Sequence, residues 1–336
     1  MSVLIDYSSG AFASNQAQGV GVDPAGDANF GDVSLLLHGD GTSGSTTITD
    51  SSSSPKTVTV NGNAQIDTAV KKFGTGSIEF DGTNSNLTLA SGLIGSGDFT
   101  IEYFVQGVGS GGYHFDFQGT NRLSIWYTPT ASTSAKEYSI NAYDTSYRGQ
   151  TNSLPLATYT GGFNHIAVVK SSGNMKIYTN GTSIDSWSNS LDYSNATLTI
   201  GNTQASRSFD SWMDGFIDDI RITKGVARYT SNFTPPTAAF LDTGPTLDLS
   251  SGTYFNYAPS ANTTFAFANP PASGTAAGFA LAVTPSATVA LTYPASVKWP
   301  NGTAPDAPAS GETDVLVFYT DDGGTTYQGF RAGDAM

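Results

Sequence analysis

Short apolar stretches cut by turn-forming pairs constrain this chain more than any other feature. Lys56-Thr57-Val58-Thr59-Val60 alternates and ends in Asn61-Gly62, Ser77-Ile78-Glu79-Phe80 runs into Asp81-Gly82, and Met175-Lys176-Ile177-Tyr178-Thr179 runs into Asn180-Gly181. Asn-Gly and Asp-Gly supply the positive-φ backbone of tight turns. Period-two alternation sends successive side chains to opposite faces, so these runs read as strands. Ser34 to His38, Leu87 to Leu89, Phe99 to Val105, His165 to Lys170, Thr197 to Ile200 and Gly215 to Ile222 extend the series, with almost no helical period between them. The acids agree: 24 are Asp and only Glu79, Glu102, Glu137 and Glu312 are Glu, beside 38 Gly. Turn formers are abundant and helix formers scarce. The predicted fold class is all-β, a two-sheet antiparallel sandwich.

A chain of 336 residues has room for more than one domain. Residues 1–33 are Gly, Ala, Ser, Asn and Gln with little periodicity, and read as an attachment arm or leader. Residues 34–242 hold the strand series. Pro235-Pro236 and Thr243-Gly244-Pro245 mark a boundary. Residues 243–336 then carry further strand-like pieces at Thr253–Tyr257, Thr263–Phe267, Gly278–Val283, Ala287–Thr292, Asp314–Thr320 and Thr326–Phe330, a second and smaller β domain.

Charge removes several classes of partner. The net charge is −14, only 12% of residues are charged, and no basic run exceeds Lys71-Lys72. Phosphate-rich partners need clustered Lys and Arg, so nucleic acid and anionic membrane surfaces are excluded. There is no cysteine, hence no disulfide scaffold, thiolate metal site or cysteine nucleophile. No apolar run reaches the roughly 20 residues that span a bilayer. The start, Met1 to Asp6, lacks a basic region followed by a long apolar one, so no secretory signal is expected.

Motifs in a fixed order carry a resemblance. Leu35-Leu36-Leu37-His38-Gly39-Asp40-Gly41 precedes Phe73-Gly74 and Gly76-Ser77-Ile78-Glu79-Phe80-Asp81-Gly82, then Asp98-Phe99-Thr100-Ile101-Glu102, His165 to Val169, and Asp214 to Tyr229. Together they resemble the laminin-G-like branch of the concanavalin A-like lectin/glucanase superfamily, in the form found in structural proteins of bacteriophages, notably marine phages. The tail is similar to a small β module at the ends of phage fibre and virion proteins, on Leu249 to Phe255, Asn269-Pro270-Pro271, Val297-Lys298-Trp299-Pro300 and Phe318 to Thr325. The resemblance implies a jelly-roll sandwich followed by a small β-sandwich.

Catalysis finds little support. Glycosidases need two carboxyl groups about one bond, and glucanases of the resembled superfamily carry three acids on one strand. Glu79-Phe80-Asp81 approaches this, but Gly82-Thr83-Asn84 brings no third acid. His38, His114 and His165 lie in no metalloprotease or nucleophile-elbow context. The chain is expected not to be an enzyme. Calcium takes oxygen ligands readily from turns, and the resemblance points to Asp40 and Asp218, with Asp81 as a third. Ordinary Asp-Gly turn chemistry is the competing reading. In a regular strand Asp218 and Asp219 point to opposite faces. For sugars, Tyr143, Tyr147 and Trp187 in polar stretches are the candidate stacking residues, whereas Trp212 is expected to pack under the last sandwich strand.

The expected function is a non-enzymatic virion structural protein: a capsid decoration, head or neck fibre, or tail-associated component. It would be made in the bacterial host cytoplasm and displayed on the particle among other virion proteins. A homo-oligomer is expected, with a trimer favoured. The alternative is a receptor-binding lectin module for host surface polysaccharide.

Overall fold

The computed structural model describes residues 26–108, 112–127, 140–143, 147–148, 161–203, 212–259 and 262–336. Residues 1–25 of the expected arm lie outside the described residues. In chain order the sandwich strands are β1 (Val33–Leu37), β2 (Thr59–Asn61), β3 (Gln65–Asp67), β4 (Ser77–Asp81), β5 (Asn86–Leu89), β6 (Phe99–Gly107), β7 (Gly112–Gln118), β8 (Arg122–Tyr127), β9 (Ile140–Tyr143), β10 (Tyr147–Arg148), β11 (Asn164–Ser171), β12 (Asn174–Thr179), β13 (Thr182–Ser188), β14 (Thr197–Ile200) and β15 (Asp214–Lys224). Among the described residues they form two antiparallel sheets. One runs β13-β12-β11-β6-β15-β4-β3, with β1 also paired to β15; the other runs β10-β9-β8-β7-β14-β5-β2.

The strands form where the sequence alternates, and the alternation decides what is buried. On β6, Phe99, Ile101, Tyr103 and Val105 point into the space between the sheets, joined there by Phe115 and Phe117 of β7 and by Ile217, Ile220 and Ile222 of β15. Each such side chain contributes roughly 1.5–3 kcal/mol by leaving water. The Tyr103 and Phe115 rings sit 4.5 Å apart, so β6 lies over β7. Phe80 of β4 fills the space where a side chain at Gly201, just after β14, would stand. The two sheets therefore stack in the same strand order, which places the β13 edge and the β10 edge on one lateral side of the sandwich.

The outer face of the eight-stranded sheet is covered as well. Phe30, Val33, Leu36, Phe104 and Phe240 cluster on it, and Tyr229 and Phe233 pack against Ala167, Val169 and Tyr178. Residues 26–32 are thus already packed against the sheet, so the described part of the expected 1–33 arm is bound chain that leads into β1. No described helix is long and apolar enough to cross a membrane.

Beyond residue 243 come β16 (Thr246–Asp248), β17 (Tyr254–Tyr257), β18 (Thr263–Thr264), β19 (Ala266–Ala268), β20 (Ala277–Val283), β21 (Leu291–Thr292), β22 (Val297–Lys298), β23 (Asp314–Thr320) and β24 (Tyr327–Gly333). The described strands make one five-stranded sheet, β17-β20-β23-β24-β22, and two short parallel pairs, β16-β19 and β18-β21. Leu247, Phe255, Phe265, Phe279, Leu281 and Phe318 fill the space between them. The run expected from Thr263 to Phe267 is split because Phe265 turns into this core, leaving β18 and β19 to pair with different partners.

Candidate functional site

Two tight turns build one edge of the sandwich. Ser172 and Gly173 (φ +48° and +78°) fold β11 onto β12, and Asn180 and Gly181 (φ +49° and +77°) fold β12 onto β13. Two successive positive φ angles match the twist of a two-residue hairpin. The Asn180 side chain fixes the second turn: its Nδ2 donates to Asn164 Oδ1 at 2.9 Å, and its Oδ1 accepts the His165 N–H at 2.9 Å.

Register then sorts the side chains. Met175 pairs with Trp187, Lys176 with Ser186 and Asn174 with Ser188. Met175 belongs to the core, and Trp187 on the same side is half-buried against that core, with its Nε1 buried and unpartnered. Asn174, Ser186 and Ser188 are exposed. With Ser171, Ser172, Lys176 and Thr230, and with Trp187 at the margin, they line an open groove of about 470 Å³. Lys176 Nζ donates to the Thr230 carbonyl at 2.7 Å. Hydroxyls, an amide and one ammonium group offer the donors and acceptors that a hydroxyl-rich ligand needs.

Of the expected stacking residues, Trp187 is thus anchored in the wall of the groove and does not stand free on its surface. Tyr143 pairs with Tyr147 across the β9–β10 hairpin, on the same lateral side as β13. Their side chains fall outside the described residues. Trp212 is half-buried just ahead of β15. The groove polar residues were not expected, since only strand pairing shows that positions a dozen residues apart share a face.

Of the three aspartates expected to bind calcium, Asp40 and Asp218 meet the same loop, 72–76, and feel each other's charge, whereas Asp81 stands apart. Asp40 is exposed, and its Oδ1 accepts hydrogen bonds from the Thr75 N–H, from Thr75 Oγ1 at 2.9 Å and from the Gly76 N–H at 3.3 Å. Asp81 closes its own turn by accepting from Asn63, Thr83, Asn84 and Ser85. Burial pushes its carboxyl up, but these donors outweigh it and hold it well below the usual range. Asp81 pairs with Asp214, four residues along β15 from Asp218, or about 13 Å at strand rise. Among the described residues no three His, Cys, Asp or Glu side chains converge to hold a metal ion. Asp40 and Asp218 alone supply few of the six to eight oxygens that calcium takes.

Asp218 and Asp219 correct the expectation of opposite faces. Asp219 has φ +49°, and the β15–β6 register slips between Asp218 and Arg221. Ile217 and Ile220, three apart, both reach the core, which strict alternation forbids. The bulge leaves both aspartates on the outer face. Asp218 Oδ2 accepts the N–H groups of Lys72 and Phe73 at 2.5 and 3.0 Å, while its Oδ1 is buried without a partner. Burial, only partly offset by those two N–H groups, raises its carboxyl to about 7. Asp219 binds His38 Nδ1 at 2.7 Å and accepts the Phe240 N–H at 2.6 Å. That bond to Asp219 pushes the His38 imidazole above its ordinary pKa.

A larger polar cluster sits between the sheet and its cover. Arg221 donates through Nε and Nη2 to Glu102 Oε1, at 3.0 and 2.8 Å, and through Nη1 to Asp27 Oδ2 at 3.0 Å. Arg228 grips Asp27 with two N–H groups at 3.0 and 2.7 Å. Tyr229 O–H donates to Glu102 Oε2 at 2.8 Å, and His165 Nε2 lies 3.3 Å from the same oxygen. Burial alone would raise Glu102, but Arg221, His165 and Arg228 outweigh it and hold the carboxyl at about 2. Glu102 and His165 are enclosed, at 0% and 1% exposure, so this acid–imidazole pair is closed to a substrate and acts as a bolt. Glu79 is bonded to Gln65 Nε2 at 2.8 Å. A charged residue inside an apolar strand, as in Ile101-Glu102-Tyr103 and Ile220-Arg221-Ile222, is the sequence signal for such a cluster.

Residues 81–228 match the family described as the concanavalin A-like lectin/glucanases superfamily, in its laminin-G-like form. No curated protein matches the chain. Among solved structures, domain 4 of an extracellular arabinanase from Geobacillus stearothermophilus, in complex with arabinotriose, is 21% identical with TM-score 0.44, over 58% of this chain and 94% of that one. The binding domain of Paraclostridial Mosquitocidal Protein 1 is 16% identical with TM-score 0.43, over 60% and 50%. The enzymatically active domain of bacteriophage CBA120 tailspike protein 2 is 14% identical with TM-score 0.39, over 50% and 28%. Sheet order, core and the match over residues 81–228 agree on an all-β sandwich of concanavalin A-like, laminin-G-like fold.

Proposed function

We propose that this protein is a non-enzymatic component of a virion surface, a decoration, fibre or tail-associated protein, and that its sandwich carries a binding site for host surface polysaccharide. The observation that carries the binding reading is the groove on the β12–β13 edge, lined by Asn174, Lys176, Ser186 and Ser188 in a domain of lectin/glucanase type. Its hydroxyl and amide groups suit sugar hydroxyls, and Lys176 favours a polysaccharide bearing carboxylates. The virion setting rests on the ordered motifs and the tail module. The non-enzymatic reading is supported by the occupied carboxyls of Glu79 and Asp81 and by the enclosure of Glu102.

A glycan array combined with a host-cell pull-down, run on the full chain and on Asn174→Ala and Lys176→Ala, tests the binding site. The expected result is binding that falls at least about tenfold in the variants. Absence of binding in both assays sinks the glycan reading. Antibody labelling of imaged particles tests the setting, and an unlabelled particle would overturn it.

A further inference from the structure

The five-stranded sheet of the C-terminal domain buries one face and leaves the other open. Phe255, Phe279, Leu281 and Phe318 alternate into the core. The residues between them point the other way, and the pairing aligns four in one row: Tyr254 opposite Ala280, Ala280 opposite Val317, and Val317 opposite Phe330. Tyr319 stands in the next row, and Met336 lies over Gly333 at the end of β24. Tyr254, Tyr319, Phe330 and Met336 are 43%, 40%, 48% and 68% exposed. They make up four of the six large exposed hydrophobic side chains among the described residues, the others being Val108 and Leu241. Isolated apolar side chains on a surface are ordinary, but a continuous apolar row on a sheet face, aromatic at both ends, marks an interaction site.

We propose that this face seats a second copy of the same chain, sheet against sheet about a two-fold axis. Charge is the first argument. The chain carries −14, so two copies repel over most of their surface. The outward rows carry no acid: Arg331 of β24 is paired with Asp314 and Asp334, while Asp321, which accepts the Tyr319 hydroxyl, and Lys298 of edge strand β22 stand at the margin, so copies meet on this face with few like charges opposed. Area is the second. The five strands, of 4, 7, 7, 7 and 2 residues, present roughly 430 Å² of sheet per copy at about 3.3 Å rise and 4.8 Å spacing. Two copies then cover about 850 Å² of sheet, and the projecting Tyr254, Phe330 and Met336 side chains bring the total toward the roughly 1,000 Å² at which specific interfaces begin. An in-plane two-fold places Tyr254 of one copy opposite Phe330 of its partner, twice over, at the roughly 10 Å spacing of packed sheets.

Analytical ultracentrifugation of the full chain at about 10 μM tests the proposal. The native protein is expected to sediment as a dimer. Phe330→Lys, which strands tolerate at exposed positions, and Tyr254→Ser are each expected to weaken self-association at least about tenfold, with near-UV circular dichroism unchanged. Leu241→Ser, exposed elsewhere, should leave the dimer intact. A monomeric native chain would free the face for a different protein and overturn the proposal. A trimer would overturn the two-fold pairing, and so would a dimer that persists in both well-folded variants.

Discussion

Arg221 stands directly opposite Glu102 across β15 and β6, and two of its N–H groups converge on a single carboxylate oxygen. The other oxygen of Glu102 takes the Tyr229 hydroxyl, and Asp27 closes the cluster by holding both Arg221 and Arg228. Three segments distant in sequence, 26–32, the sheet itself and 225–229, are tied together through these two carboxylates.

Removing one member of this cluster should therefore cost more than a surface ion pair does. Glu102→Gln leaves Arg221 buried with one anionic partner where it had two, and breaking a buried pair costs about 3–5 kcal/mol. Urea denaturation is the measurement. Pairing Glu102→Gln with Arg221→Met should give a loss smaller than the sum of the single losses, with a coupling of about 1–3 kcal/mol.

The pH dependence has a definite sign. Glu102, held at about 2 in the folded chain, contributes stability that is present above its ordinary pKa of 4.5 and is lost as pH falls toward 2. His114, buried and driven by desolvation down to about 3, must be forced to protonate, so it too costs stability as pH falls from 6.5. Asp218 acts in the opposite direction: with a carboxyl raised to about 7, the folded state binds its proton more tightly, and stability falls as pH rises from about 4 to 7. Between about 4 and 6.5 the Asp218 and His114 contributions oppose each other, so the steep acid limb lies below about 4.5. Glu102→Gln should flatten that limb in melts taken from pH 2 to 6.

Calcium should have little hold on the chain, because Asp40 and Asp81 already accept several protein donors and, among the described residues, no third acid joins Asp40 and Asp218. Adding calcium, or chelating it with EGTA, is expected to leave Tm unchanged. A rise of several degrees on adding calcium would reinstate the aspartates as ligands. Asp218→Asn should stabilise the protein above pH 7, by up to about 4 kcal/mol for a shift of three pH units, since an amide keeps an acceptor for the Lys72 and Phe73 N–H groups without burying charge.

The strands were legible because the chain names its own turns. Asn180-Gly181 has the two positive φ angles its residue types demand, and the β11–β12–β13 edge follows from that turn and from Ser172-Gly173. The site was less legible for the same physical reason. Alternation predicts a face only while the register holds, and the bulge at Asp219 shifts it without any Gly or Pro to announce the change. Trp187 sits in a polar stretch that suggests exposure, yet its partner Met175 fixes it on the core side. Pairing information of this kind joins positions far apart in sequence, and no local pattern carries it.

Trp187 and Lys176 should separate packing from recognition. Trp187→Ala opens space beside the core and is expected to cost about 2–3 kcal/mol in urea melts, less than a fully buried Trp. Lys176→Ala removes a surface group and should change stability by no more than about 0.5 kcal/mol. In polysaccharide binding the order reverses in meaning: loss with Lys176→Ala at unchanged stability reports the groove itself, whereas loss with Trp187→Ala reports its wall.

The junction between the two domains depends on a glycine without room for a side chain. A Cβ on Gly244 would lie 1.7 Å from the Thr264 carbonyl oxygen, and one on Gly26 would lie 2.2 Å from the Gly244 oxygen. The same seam holds the Asp27 N–H bonded to the Thr243 carbonyl at 3.1 Å and Asn262 Nδ2 bonded to Asp32 at 3.2 Å. Gly244→Ala must push β18 away from residues 26–32, an overpacking cost of about 1–3 kcal/mol. Because the sandwich core lies away from this seam, the loss should fall on the C-terminal domain. Calorimetry should show a transition near the native Tm and an earlier, smaller one, whereas Gly97→Ala, with open space around it, should melt as the native chain does. A single transition shifted as a whole would mean that the seam couples the two domains into one cooperative unit, with the Asp27–Arg221–Glu102 bolt carrying the strain into the sheet.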